Sequence, residues 1–271
     1  MQEDITVDKM EKKKGLLVVS FGTSVNETCK KTIDVIEKRL QEEFSEYVVY
    51  RAWTSKKIIK KIRERDGVKT DTVAEAMERM FCDGIEDIVV QPTHVIDGIE
   101  NEQMTEDVLA YRERFASLRF GKPLLVDKKD LEGVTEAVME EFGDLSKDEA
   151  LVFMGHGTVH KAHRIYQALD AEFKNSGYPY VFLGTVEASP SLERLIERVR
   201  AYGVKKVRLA PFMVVAGDHA LHDMSGDSKK SWKNLFEAAG FEVRCVLKGL
   251  GEYRGIQRLY VQHVKEALRK C

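Results

Sequence analysis

Seven histidines and a few carboxylates are the side chains here whose types and spacing could handle a metal ion or a proton. His156 stands between Gly155 and Gly157, a setting that permits close backbone approach by a ligand and dihedrals other residues resist. The same tripeptide also suits a strand-to-helix turn whose imidazole is simply exposed. His219 follows Gly217-Asp218, and His222 comes three residues later, which on a helix puts both rings on one face. Glu187, in Thr185-Val-Glu-Ala-Ser-Pro190, reads by itself as an acid leading a helix that Ser189-Pro190 opens, favoured by that helix's dipole. His156, His160 and His163 have the i, i+4, i+7 spacing of a helical metal stripe. Gly157 sets His156 ahead of any helix, which leaves His160 at a cleft edge and His163 on the surface. His94, after Pro92-Thr93, is read as a pocket wall in preference to a satisfied core histidine, and His263, in a charged terminal helix, as solvated. Neutral imidazole binds metal or accepts a proton near neutrality, so His and carboxylate together suit both tasks.

These residues gain weight from a pattern that occurs twice. Residues Gly84 to Glu100 align without a gap on Gly203 to His219, at a constant offset of 119. Each copy reads as a glycine turn, a buried strand ended by Pro92 or Pro211, a short apolar stretch and a second glycine. The last aligned position carries Glu100 in one half and His219 in the other. Leu17 to Thr23 resembles Val152 to Thr158, which sets Phe21 opposite His156. Arg51 to Ser55 resembles Gly184 to Ala188, which sets Thr54 opposite Glu187. The offset falls between these matches because Lys56 to Met80, long enough for two helices, is extra in the first half. Two related halves facing each other would bring a carboxylate and an imidazole to one cleft.

The elements that must position these residues follow from hydrophobic pattern. Short apolar runs, at 16–21, 47–52, 85–91, 123–126, 150–154, 180–183, 206–210 and 242–247, alternate with helical patterns such as 27–44 and 191–202. Strands followed by helices imply βαβ crossovers and parallel sheets covered on both faces. The expected fold is α/β: two duplicated Rossmann-like halves, each a four-stranded parallel sheet flanked by helices, with the active site in the cleft between them. We place the halves at 14–127 and 128–252, with a last helix at 253–270 packing back on the first. Ligands of open parallel sheets bind beyond the carboxyl ends of the strands. His156, Glu187 and His219 each follow a strand of the second half, so all three belong to one rim.

Composition narrows the function classes. At 271 residues, 43% apolar and 32% charged, the chain can build a sizeable core under a charged surface. A net charge of −2 and a pI near 6.4 argue against nucleic acid or anionic membrane as a partner. No apolar run approaches the roughly 20 residues of a membrane span, and Met1 to Lys14 reads as a polar extension with no secretory signal. Four cysteines without Cys-x-x-Cys spacing fit a reduced, cytoplasmic protein. The basic run from Lys56 to Arg65 could attract carboxylates but reads as a solvated helix face. No glycine-rich nucleotide loop is present. A small-molecule substrate is expected, and a homo-oligomer is compatible with everything above.

The chain resembles the anaerobic sirohydrochlorin cobaltochelatases of the CbiK type, within the class II chelatases. The resemblance runs from Lys14 to the final helix. It rests on Leu16-Leu-Val-Val-Ser-Phe-Gly-Thr-Ser24, Arg51-Ala-Trp-Thr-Ser55, Met154-Gly-His-Gly157, Val186-Glu-Ala-Ser189 and Ala216-Gly-Asp-His-Ala220. Asp223-Met224, Ser231-Trp-Lys233 and Gly249-Leu-Gly-Glu252 extend it. It implies a duplicated chelatase fold and insertion of Co2+ into the tetrapyrrole sirohydrochlorin with release of two protons, on the route to cobalamin. Fe2+ insertion is the alternative, as is a non-catalytic tetrapyrrole or metal carrier. No cofactor is implied beyond the metal substrate. The family's metal-binding histidines fall on His156 and His219, its further metal-site glutamate on Glu187 and its cleft glutamate on Glu100. The family's Gly-Asp-Glu stretch reads Gly98-Ile99-Glu100, so one acidic contact is missing. Phe21, His94 and His160 complete the cleft as substrate candidates. A metal-dependent hydrolase is the competing class, and would require a tightly retained metal and a nucleophile.

Overall fold

A computed structural model of the protein describes residues 12–189 and 191–269. The N-terminal extension up to residue 11, Pro190 and the final two residues lie outside the described residues. Four parallel strands, β1 (Lys14–Ser20), β2 (Val48–Trp53), β3 (Asp87–Pro92) and β4 (Ser117–Phe120), form the first sheet in the order β2-β1-β3-β4. The second sheet repeats that order with β5 (Glu149–Gly155), β6 (Val181–Thr185), β7 (Lys206–Phe212) and β8 (Glu242–Cys245), as β6-β5-β7-β8. The duplication is therefore one of topology as well as sequence. All seven residues of β5 are buried, as a strand covered on both faces requires.

In the first half α1 (Asn26–Lys31) and α2 (Ile33–Glu43) follow β1, α3 (Lys56–Asp66) and α4 (Val73–Cys82) follow β2, and α5 (Ile99–Leu109) follows β3. In the second, α6 (Lys128–Met139) leads into β5, α7 (Arg164–Asn175) and α8 (Leu192–Tyr202) make the first two crossovers, and α9 (Trp232–Ala238) the third. The pair α3 and α4 stands where the second half has α8 alone, which is the extra segment read from the falling offset. α3 buries Ile59 and Ile62 and turns its lysines to solvent. The repeat opens on Gly84 and Gly203, at φ +74° and +88°, the left-handed conformation that ends a helix before its strand.

Two elements differ from expectation. The helical pattern at 27–44 is two helices, because Thr32 leaves helical geometry at φ −124°, ψ −79° and is buried against Gly251, where a Cβ would come within 2.8 Å of it. The apolar run at 123–126 is not a strand but makes only an isolated bridge, Ile96 to Leu125. Pro123 has no N–H to donate, and the fourth strand lies upstream, with Ser117 beside Asp87 and Phe120 beside Val90.

The largest apolar cluster is shared by both sheets. Leu16 and Val18 of β1 and Leu151 and Phe153 of β5 join it, with Tyr253, Ile256, Tyr260 and Val264 from the C-terminal segment. That segment's helix, α10 (Arg254–Arg269), packs on α2, α6, β3 and β4. Its Tyr260 hydroxyl donates to Thr93 O just beyond β3, at 2.7 Å.

His263 is not solvated. It is 2% exposed, on the buried stripe of α10 with Tyr260 and Val264. Its Nδ1 lies 3.1 Å from Lys122 O and its Nε2 3.2 Å from Asp130 Oδ1. Both nitrogens face acceptors, so the doubly protonated ring is the form that donates to both. Burial alone would raise the Asp130 carboxyl, but hydrogen bonds from His263 and Lys122 outweigh it and hold it at about 2. A carboxylate whose folded pKa lies below its unfolded value of about 3.9 stabilises the fold fully above that value. That contribution drains away as pH falls from about 4 towards 2. Asp130→Asn is therefore expected to lose on the order of 2 kcal/mol of unfolding free energy at pH 7 and about half of that at pH 3. Urea titrations at the two pH values measure it, and an equal deficit at both would show the carboxylate is not the cause.

Candidate metal centre

The carboxyl ends of the two sheets look towards each other. Glu102 Oε1, two residues past Glu100 on α5, is 3.3 Å from His160 Nε2 in the loop after β5. On the loops after β1 and β7, a methyl on Gly217 would stand 3.7 Å from Thr23 Oγ1.

His156 and Glu187 leave the ends of neighbouring parallel strands at one level. Val186 N–H donates to Gly155 O and Glu187 N–H to His156 O, each at 3.0 Å. Ring and acid are 3.7 Å apart, Nδ1 to Oε2. The chain turns directly after His156 through Gly157 at φ +85°, where a Cβ would also press to 2.9 Å from the Thr185 side chain. Only glycine suits both conditions. Glu187 does not lead a helix: α8 begins five residues later, capped by Ser191, whose hydroxyl accepts from Arg194 N–H.

His219 opens a π-helical turn, His219–Met224, an element frequent at functional sites. In this wider turn the residue brought beneath His219 is Asp223, not His222. His219 Nδ1 is 2.6 Å from Asp223 Oδ2, while His222 is exposed and takes no part. The expected pairing of His219 with His222 assumed an α-helical turn.

Two contacts settle which nitrogens are free. His156 Nδ1 lies 2.9 Å from Gly157 O, which can only accept, so Nδ1 carries the hydrogen and Nε2 the lone pair. The Asp223 carboxylate fixes the same tautomer in His219, the arrangement that orients metal-ligating imidazoles. The two rings stand 4.9 Å apart between centroids at 82°. One ligand atom from each of His156, Glu187 and His219 lies within 4.8 Å of the others. Their side chains are 46%, 54% and 37% exposed, so the cluster opens to the cleft. Two imidazoles and one carboxylate with open positions suit a divalent first-row ion that is to be passed on.

All three come from the second half. Glu100 is exposed in the first turn of α5 and is not part of the cluster. Phe21, 46% exposed, follows β1 as His156 follows β5. The strand register corrects one match between the halves. Trp53 pairs with Ser20 and Thr185 with Gly155. Ser55 N–H then donates to Phe21 O as Glu187 N–H does to His156 O, so Ser55, not Thr54, is the counterpart of Glu187.

His94 is buried instead of lining a wall. Its Nδ1 is 3.4 Å from Asn101 Oδ1, its Nε2 has no partner among the described residues, and burial pushes its pKa down to about 4. His160 stands at the cleft edge. His163 is half-buried, its Nε2 2.7 Å from Ser189 O, and is not a free surface residue. Glu102 is not singled out in the sequence, and Asp223 enters only as part of a family motif without a role at the site. Each lies within four residues of a singled-out side chain, and that spacing was the available signal.

Facing four-stranded parallel sheets, with two imidazoles and a carboxylate on the rim of one, define a two-lobed protein of the class II chelatase type. The chain belongs to the family described as Cobalt chelatase (CbiK), whose model matches residues 14–269. It is 40% identical over 256 residues to the sirohydrochlorin cobaltochelatase of Salmonella typhimurium, covering 94% of this chain and 97% of that protein. It is 35% identical over 259 residues to sirohydrochlorin cobaltochelatase CbiKC of Nitratidesulfovibrio vulgaris, covering 94% and 91%. Two solved structures share the fold at low identity. SirB from Bacillus subtilis with Fe3+ superposes with a TM-score of 0.67 at 14% identity, covering 95% of this chain and 96% of that one. The sirohydrochlorin chelatase SirB from Bacillus subtilis subspecies spizizenii, in complex with cobalt, gives 0.65 at 15%, covering 95% and 97%.

Asp223→Asn is expected to weaken divalent-metal affinity about 10- to 100-fold by releasing the His219 ring from its tautomer and orientation. Cobalt titration followed in the visible spectrum measures this, and unchanged affinity would remove Asp223 from the site.

Proposed function

We propose that this protein inserts Co2+ into sirohydrochlorin, forming the cobalt complex and releasing two protons, in the anaerobic route to cobalamin. The cluster of His156, Glu187 and His219 carries the reading. Its donors suit cobalt, and it opens to the cleft of a chain whose relatives bear the name sirohydrochlorin cobaltochelatase. Among the described residues no helix is long and apolar enough to cross a membrane.

His156 Nε2, His219 Nε2 and a Glu187 oxygen hold the incoming ion and replace part of its water shell. Three protein ligands leave positions at which pyrrole nitrogens can enter while water departs. Neither imidazole is a thiolate, so a borderline ion is held without being trapped. Metallation removes two N–H protons from the macrocycle. As the ion moves onto the ring nitrogens, the imidazoles regain free lone pairs that can accept those protons. Glu100, exposed on the first half, passes protons to solvent from the other wall. Phe21 offers an apolar surface to the flat macrocycle. The preference for Co2+ over Fe2+ rests on the relatives, because imidazole and carboxylate serve both ions.

The doubly substituted His156→Ala, His219→Ala protein is expected to lose at least about 100-fold in the rate of cobalt insertion, the scale on which a misplaced reactant slows a reaction. The measurement is the absorbance change of sirohydrochlorin with cobalt, ferrous iron and nickel, with and without protein. Insertion by the double variant at the wild-type rate would contradict the assignment. Binding of sirohydrochlorin without acceleration by the unaltered protein would make it a carrier.

A further inference from the structure

Across the cleft His160 Nε2 comes within 3.3 Å of Glu102 Oε1, and nothing in the metal chemistry uses that contact. His160 lies four residues beyond His156, on the loop that leaves β5. Glu102 lies two residues beyond Glu100, in the first turn of α5. The contact therefore joins the segment carrying a metal ligand to the segment carrying the opposing acid.

Its protonation is legible from the backbone. Ala162 N–H donates to His160 Nδ1 at 3.3 Å, so Nδ1 holds the lone pair and Nε2 carries the hydrogen. A second bond, from His160 N–H to Thr158 Oγ1 at 3.1 Å, holds the loop around the ring. The ring is 16% exposed, whereas the Glu102 side chain is 50% exposed and free to follow the other wall. At 3.3 Å the Nε2-to-carboxylate distance is longer than the roughly 2.9–3.0 Å of an ordinary N–H···O bond, and the pair is not yet aligned as one. A small approach of the two walls with a rotation of the exposed Glu102 side chain completes it.

We infer that His160 and Glu102 form a cross-cleft tie, a positioning pair that tightens over the bound macrocycle and sets the separation between the His156–Glu187–His219 site and the Glu100 wall. This rests on the chelatase reading. Neither residue touches the reacting atoms, so their loss should act on turnover and leave cobalt binding intact.

The test uses the full chain with sirohydrochlorin and cobalt, and begins with the unaltered protein. Failure of that protein to insert cobalt would sink the chelatase reading itself and the tie with it. Given insertion, His160→Ala and Glu102→Ala are each expected to lower kcat about tenfold or more, with cobalt affinity unchanged. The doubly substituted protein should be no slower than either single one, because the two act as a unit. Glu102→Gln keeps an acceptor for Nε2–H and should restore most of the loss. Wild-type kcat in the alanine variants, additive losses, or a glutamine variant as slow as the alanine one would each overturn the tie. Where His160→Ala fails to fold, the half-exposed Glu102 and its Ala-to-Gln comparison decide the matter alone.

Discussion

The structure turns on parallel strand pairing carried one residue past the end of a sheet. Because β5 and β6 run the same way, their carboxyl ends finish together. The two backbone hydrogen bonds beyond the ladder, at Val186 and Glu187, hold the acid level with His156. Peptide geometry, not attraction between the side chains, thus brings imidazole and carboxylate to a separation of 3.7 Å. Gly157 makes this possible by letting the chain turn away at once, so the ring projects from the rim instead of being drawn down into α7's crossover. The third donor comes from further along: His219 lies seven residues past the end of β7, in a π turn that sets it over Asp223.

The duplication clarifies what each wall contributes. Both halves present the ends of two central strands and one flanking strand to the cleft, and the three equivalent positions hold His156, Glu187 and His219 on one side, Phe21, Ser55 and Glu100 on the other. One wall carries nitrogen and oxygen donors close enough to converge on an ion. The other carries an aromatic surface, a hydroxyl committed to capping α3 and an exposed acid. A flat substrate between them would meet metal on one face and an apolar ring on the other. Such asymmetry within a symmetric frame is what a one-directional transfer of an ion requires, since two identical walls would compete for it.

Much of this was legible in the residues, and the gaps have physical causes. Central parallel strands are continuous apolar runs, and seven of the eight strands are visible, the edge strand β8 through the apolar positions of its 242–247 run. The exception, β4, spells Ser117-Leu-Arg-Phe120, an edge strand with no buried residue as β8 is, but with the more apolar and fully buried Leu124-Leu125 just downstream to draw the reading to the wrong segment. The gapless match of Gly84–Glu100 with Gly203–His219 held because equivalent strands bear it. The shorter match of Arg51–Ser55 slipped by one because nothing in five residues fixes a register that backbone pairing fixes in space. Helix periodicity predicts which face a residue occupies but not what lies against it. His263 shares a face with Tyr260 and Val264, and a polar ring on that stripe was read as solvent-facing until Lys122 and Asp130 closed over it. A helical turn brings both His222 at i+3 and Asp223 at i+4 within reach of His219, and residue types alone do not say which of the two lies beneath it.

The two walls are joined very differently at the back and at the front. Behind the sheets the shared core runs without interruption from β1 through α10 to β5, with Tyr260 bonded to Thr93 and Tyr253, Ile256 and Val264 filling the space between. Apolar contact of that extent makes the back of the molecule resist displacement, since opening it would expose close-packed side chains. At the mouth, among the described residues, one imidazole faces one carboxylate, Gly217 lies near Thr23, and Val215 of the loop after β7 packs on the apolar cluster of Ile33, Trp53, Ile59 and Ile62. His156, Glu187 and His219 all belong to one half, so a change in the separation of the walls would leave the three donors fixed relative to one another.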